Sequence, residues 1–267
     1  MRTTLFLIAL LAAAPALAGE VIPLPNAHAH NDYRHERPLF DALDHGFCSF
    51  EADIHLVDGA LLVAHDADEV EPGKTLEKLY LDPLLERVRA NGGRVYPGGP
   101  TCMLLIDFKT DGEATYAVLR PLLARYAEML TVFRDGQVEE KAVTVVISGD
   151  RPRATMAAET ERLCGYDGRV SDIDGDIDPA FMPLVSDSWR SQFTYRLQGD
   201  MSAEERAKLR RLVEAVHARG AKIRFWAVPE REALWTEMAD AGVDYLNTDR
   251  LDAMRDFLLA RQAASGE

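Results

Sequence analysis

The chain has 267 residues, and its 44 aspartates and glutamates against 30 lysines and arginines leave a formal charge of −14 at pH 7. No basic cluster interrupts that balance, since Arg206, Lys208, Arg210 and Arg211 are intermixed with Glu204 and Glu205, so an electrostatic nucleic-acid binder is excluded. Three cysteines, Cys48, Cys102 and Cys164, are odd in number and sit in apolar or mixed segments. They argue against a disulfide framework and read as buried thiols, with a Cys48–Cys102 bridge between neighbouring strands left open.

Taken in chain order, the first segment is Arg2, an apolar run from Leu5 to Ala14, and Ala16-Leu17-Ala18 before Gly19. This is the pattern of a cleaved secretory signal, residues 1–18, and the expected location is periplasmic or secreted. The run is shorter than the roughly 20 residues a membrane-spanning helix requires. Stable membrane insertion is therefore not expected. The remaining residues, 19–267, read as one domain of a size close to the roughly 250 typical of a (β/α)₈ barrel.

Short apolar segments recur at 22–27, 48–54, 102–108, 143–147, 168–170, 184–186, 222–227 and 243–246, which gives eight candidate strands. Helical patterns fall between them at 37–44, 76–91, 113–126, 153–163, 203–219 and 230–241. Alternation of this kind implies a parallel sheet covered by helices, and eight units favour closure into an α/β TIM barrel. The crossover after the fifth strand shows no helix, only Asp172, Asp174, Asp176 and Asp178 around Gly175. It imitates a calcium loop but lacks the closing glutamate, since Phe181 stands there, and it reads as a solvated loop.

In such a barrel functional groups gather at the carboxyl ends of the strands. His28 and His30 close the first strand, and Glu51 and Asp53 end the second. Being two residues apart on a strand, those two carboxylates share a face. His65 follows a short hairpin, Asp107 and Lys109 end the third strand, Asp150 and Arg151 follow the fourth, and Trp226 closes the seventh. Carboxylates from two adjacent strands suit a hard cation, Mg²⁺ or Ca²⁺. Asn31 and Asp32, beside His30, could orient its ring or contact a phosphate. Arg151 could grip a phosphate or pair with a loop carboxylate, and Trp226 could wall a pocket or pack the core.

These residues together resemble the phospholipase C-like phosphodiesterase superfamily on its glycerophosphodiester phosphodiesterase and sphingomyelinase D side. Glu51-x-Asp53, Asp58-Gly59 followed by His65-Asp66, Asp107-x-Lys109, Phe225-Trp226 and the stretch 242–249 carry the resemblance. His30-Asn31-Asp32-Tyr33 and Ser148-Gly149-Asp150-Arg151-Pro152 make it most similar to the group of yeast "altered inheritance of mitochondria" protein 6. The resemblance implies Glu51, Asp53 and Asp107 as metal ligands, and His65 with His30 or His28 as acid and base, His30 being favoured. It also implies Lys109 facing the phosphate, and a small-molecule or lipid phosphodiester as substrate. The Arg-Gly and Glu-Asn motifs of glycerophosphodiesterases are absent, so the head group is not fixed, nor is the choice between hydrolysis and cyclisation.

Two other readings remain. His28-x-His30 also opens metal-dependent amidohydrolases, with Asp249 placed like their catalytic aspartate, but the further histidines such a zinc site needs are missing. An exported barrel that only binds a phosphorylated ligand is the other. Against it, three clustered carboxylates repel one another without a cation.

Overall fold

The computed structural model describes residues 21–266 other than 176, so the expected signal at 1–18 lies outside the described residues. In chain order, β1 (Leu24–Ala29) leads to α1 (Phe40–Asp44), and β2 (Phe47–Val57) turns back through β3 (Ala60–Val63) before α2 (Asp82–Ala90). β4 (Cys102–Phe108) is followed by α3 (Gly112–Ala124) and a small arm of β5 (Val132–Arg134) and β6 (Gln137–Glu139). Then come β7 (Val143–Gly149), α4 (Arg153–Ala157), β8 (Glu161–Arg162), β9 (Cys164–Gly168), β10 (Leu184–Ser188), α5 (Trp189–Gln192) and α6 (Ala203–His217). β11 (Lys222–Trp226), α7 (Glu232–Ala241), β12 (Leu246–Thr248) and α8 (Leu251–Ser265) complete the chain.

The main sheet runs β11-β10-β9-β7-β4-β2-β1-β12, every pair parallel, with β3 attached antiparallel to β2. A single bridge from Arg224 on β11 to Tyr245, just before β12, brings the two edges together. The result is the nearly closed eight-stranded barrel that the strand rhythm predicts.

Side-chain alternation builds the site on top of the core. On β4 the buried Leu104 and Ile106 belong to the main apolar cluster, while Met103 and Leu105 join Val146, Leu184 and Tyr245 in a second, smaller one. Two residues on from Leu105 the same column reaches Asp107, and two on from Val146 it reaches Ser148. Register puts Asp53, Asp107 and Ser148 side by side across β2, β4 and β7. Apolar columns thus turn polar at the strand ends.

The strands depart from expectation most at β9, predicted at 168–170 and found at Cys164–Gly168. Its two glycines hide the strand signal, yet both are required by close packing. A Cβ at Gly165 would lie 2.4 Å from Pro183, and one at Gly168 2.2 Å from Met182. The helix expected at 153–163 stops at Ala157, because the chain then enters β8 and the small sheet with β5 and β6. α8, not anticipated, packs beside β1. All three cysteines are buried and free.

Candidate active site

A cavity of about 240 Å³ opens at the carboxyl ends of the strands, lined by His30, Asn31, Glu51, Asp53, His65, Asp107, Lys109, Ser148, Arg169, Arg224 and Trp226. Larger grooves lie elsewhere, the largest along α3 and α4, but the convergent ionisable groups are in this one. One oxygen from each of Glu51, Asp53 and Asp107 lies within 4.8 Å of the others.

Each of these carboxylates is tied down through one oxygen. Glu51 Oε2 accepts from Arg224 at 2.6 Å and lies 3.0 Å from His28 Nε2. Burial alone would raise the Glu51 pKa, but Arg224 and His28 hold it well below the usual carboxylate range. Asp53 Oδ2 meets the Tyr33 hydroxyl at 2.7 Å, His65 Nδ1 at 2.9 Å and Lys109 Nζ at 2.9 Å. Asp53 Oδ1 is buried with no partner. Asp107 Oδ1 pairs with Lys109 at 3.1 Å, and burial, helped by the charges of Asp53 and Glu51, pushes its carboxyl up to about 6. A buried carboxylate oxygen without a donor, flanked by two more carboxylates, could hold a cation.

The two first-strand histidines are in different situations. His28 is fully buried, with Nδ1 2.6 Å from Ser49 Oγ and Nε2 on Glu51, and burial and the nearby Arg224 drive its pKa down to about 3. It is neutral, Nε2 donates to Glu51, and neither nitrogen is left for a substrate. His28 is therefore placed as a support for Glu51 rather than as an acid or base. His30 lines the cavity, with Nδ1 2.7 Å from Asp249 Oδ1. Burial works against its charge, but the bond to Asp249 and the charge of Glu51 outweigh it and raise the pKa. His65 likewise spends Nδ1 on Asp53, which leaves Nε2 of both rings for the cavity. The carbonyl of His65 is held by His55 Nε2 at 3.2 Å.

Arg151 is not brought into the site. Its guanidinium stacks 4.8 Å over Tyr166 and donates to the Gly149 carbonyl at 2.8 Å, just past the left-handed turn at Gly149, φ 72°. The cavity's guanidiniums are instead Arg169 and Arg224, which the motifs do not single out. Arg169 donates to buried Asp167 at 2.7 Å and lies 4.9 Å over the ring of Trp226, which does line the cavity. Arg224 is detectable by parity, since it stands two residues before Trp226 with the apolar Phe225 between them. Asp32 does not line the cavity and is buried against Tyr80. Asp172 caps a turn and pairs with Arg153.

The chain matches the AIM6-like phosphodiesterase domain over residues 16–167 and the glycerophosphoryl diester phosphodiesterase family over residues 222–252. It is 31% identical to "Altered inheritance of mitochondria protein 6" of Lachancea thermotolerans, over 88% of this chain and 66% of that protein. The Eremothecium gossypii protein of the same name is 30% identical, over 92% of this chain and 72% of that one. The chain thus spans about two thirds of these relatives' length. Among solved structures, a glycerophosphodiester phosphodiesterase from Parabacteroides distasonis superposes with a TM-score of 0.51 at 15% identity, covering 91% of this chain and 97% of that one. One from Agrobacterium tumefaciens gives 0.50 at 18%, covering 89% and 98%. These two share the barrel. On a domain match that takes in more than half of its residues and the strands bearing Glu51, Asp53 and Asp107, the chain belongs to the AIM6-like phosphodiesterase family.

Proposed function

We propose that this protein is a divalent-cation-dependent phosphodiesterase in which His30 and His65 move the protons. The observation that carries the reading is the half-engaged carboxylate set: Glu51, Asp53 and Asp107 each have one oxygen tied to protein donors, and the second oxygen of Asp53 is buried and bare. Two imidazoles whose Nδ1 atoms are engaged by Asp249 and Asp53, and the Lys109 ammonium, line the same cavity.

Glu51, Asp53 and Asp107 would hold the ion, which when bound supplies positive charge to the phosphate's non-bridging oxygens. Lys109, 24% exposed and already between Asp53 and Asp107, adds charge on the same side. His30, whose proton Asp249 stabilises, donates from Nε2 to the leaving alkoxide. His65, with Nδ1–H fixed on Asp53, takes a proton at Nε2 from the attacking hydroxyl, whether that is water or a hydroxyl of the substrate. Arg169 and Trp226, stacked on each other in the same lining, would meet the alcohol of the substrate.

The carboxylates also favour one ion. With one oxygen of each already held by protein donors, one-oxygen contact to a metal is the simpler fit, and Ca²⁺ commonly takes bidentate carboxylates among six to eight oxygens, whereas Mg²⁺ accepts few protein ligands and keeps waters. Mg²⁺ is the expected cation. The apolar run and small residues before Gly19 support export to the periplasm or the exterior, which the mature amino terminus measured by mass spectrometry tests. No helix among the described residues is long and apolar enough to cross a membrane.

The test is product release from bis(p-nitrophenyl) phosphate, glycerophosphodiesters and lysophospholipids with Mg²⁺, Ca²⁺ or EDTA, beside Glu51→Ala and His65→Ala. Turnover that needs Mg²⁺ and both side chains supports the reading. Metal binding with no turnover on any of them favours the barrel that only binds a phosphorylated ligand.

A further inference from the structure

The Asn31-Asp32-Tyr33 turn sits between the two histidines, and the chemistry above leaves its buried carboxylate without a role. Asp32 is wholly buried, and its Oδ2 accepts from the Leu39 amide at 2.6 Å and the Tyr80 hydroxyl at 2.8 Å. Leu39 carries φ 66° and ψ −48°, a backbone region that L-residues rarely adopt, while its side chain is fully buried. Such a conformation persists only when its surroundings hold it. A single side-chain bond from Asp32 thus closes the loop over residues 32–39 and supplies the acceptor that the inward-facing Leu39 amide needs.

On either side of Asp32 the turn reaches into the site. Asn31, at φ 47°, donates to Asp249 Oδ1 at 3.4 Å beside His30. The Tyr33 hydroxyl stands 2.7 Å from both Asn31 Oδ1 and Asp53 Oδ2, and 3.2 Å from His65 Nδ1. A continuous set of contacts therefore runs from His30 through Asp249, Asn31 and Tyr33 to Asp53 and His65. Asp32 fixes that set from outside the cavity.

We propose that Asp32 is a positioning residue, a buried acid that clamps the β1–α1 loop so that Asn31 and Tyr33 hold the His30 and His65 rings at their working separation. The inference rests on the two-histidine reading for its kinetic consequence but not for its structural one. Asp32 acts as an acceptor of two hydrogen bonds rather than as a charge. Burial pushes its carboxyl up to about 7, and its Oδ1 has no partner. An asparagine, whose one oxygen can accept both bonds, should replace it.

The experiment compares Asp32→Asn, Asp32→Ala and Tyr80→Phe by amide hydrogen exchange over residues 30–40 and by kcat and KM on the phosphodiester the wild type turns over. Asp32→Ala should expose those amides to fast exchange while the barrel strands stay protected. It should also lower kcat by about a hundredfold with KM nearly unchanged, the scale of an ångström's misplacement. Tyr80→Phe should move both readings in the same direction by less, and decides the matter if Asp32→Ala does not fold. Asp32→Asn should restore both. Slow exchange and full kcat in Asp32→Ala overturn the clamp, and an Asp32→Asn protein as damaged as Asp32→Ala overturns the acceptor role, since the charge would then be what matters. If no phosphodiester is turned over, the exchange arm still decides for or against the clamp, while the phosphodiesterase reading fails by itself.

Discussion

Two buried aspartates near the mouth of the barrel, Asp167 on β9 and Asp53 on β2, are met by protein donors in different ways. Asp167 has both oxygens satisfied: Ser186 Oγ reaches Oδ1 at 2.7 Å, while Ser148 Oγ and Arg169 each reach Oδ2 at 2.7 Å. Asp53 gathers Tyr33, His65 and Lys109 on Oδ2 and leaves Oδ1 bare. Both are wholly buried, so burial does not separate a structural carboxylate from a functional one. What separates these two is saturation together with clustering: an unmet buried acceptor costs about 1–3 kcal/mol, and the bare oxygen of Asp53 belongs to a group of three carboxylates that could share a cation, whereas the bare Oδ1 of Asp32 does not.

The largest expected effect tests this contrast directly. Asp53→Asn should abolish Mg²⁺ binding in calorimetry and cut turnover by about a thousandfold. Asp167→Asn should leave Mg²⁺ binding intact and instead lower unfolding stability by about 3 kcal/mol in a denaturant titration, since Arg169 loses its charged partner and keeps only neutral acceptors such as the Gly168 carbonyl. The reverse pattern would mean that saturation is no guide here. His30→Ala and His65→Ala come next, each expected to lower kcat by about 10²- to 10⁴-fold while the ion still binds.

Asp249→Asn should have a smaller effect, and one that depends on pH. His30 must carry its proton to act as the acid, so activity falls as pH rises through its raised pKa, and removing the Asp249 charge should move that alkaline limb to lower pH. A limb that stays in place would separate His30 from the acid role.

Asp107 gives the mildest signal. Its carboxyl is raised from 3.8 to about 6 in the folded protein, so the metal-free fold binds a proton there that the unfolded chain has released. The stabilising contribution is present in full below the unfolded value of 3.8 and lost as pH rises towards and through about 6. Thermal unfolding of metal-free protein at about pH 5 and about pH 7 should show the drop, and Mg²⁺ should reverse it at the higher pH. Mg²⁺ affinity should weaken below about pH 6, where the proton competes.

Much of this arrangement is legible in the chain because strands alternate and carboxyl ends face the mouth. Glu51, Asp53, Asp107, Lys109, His30 and His65 announce themselves as polar groups ending apolar runs, and all six line the cavity. What the chain conceals, it conceals for identifiable reasons. His28 has the same strand parity as His30, and only the three-dimensional placement of Ser49, Glu51 and Arg224 shows that both its nitrogens are engaged. Arg169 follows a strand whose glycines, required by Pro183 and Met182, erase the apolar signal. Arg151 looks the better phosphate ligand in the sequence, yet just past the turn at Gly149 it stacks over Tyr166. Long-range partners such as Asp249 for His30, 219 residues apart, leave no local trace.

The most direct test of a metal-assisted site is the Mg²⁺ dependence of bis(p-nitrophenyl) phosphate cleavage by EDTA-stripped protein, titrated in parallel with Ca²⁺. The expected result is no turnover without metal, saturable activation by Mg²⁺ at one ion per chain, and weaker activation by Ca²⁺. Full turnover in EDTA, with no ion bound to Glu51, Asp53 and Asp107, would contradict it.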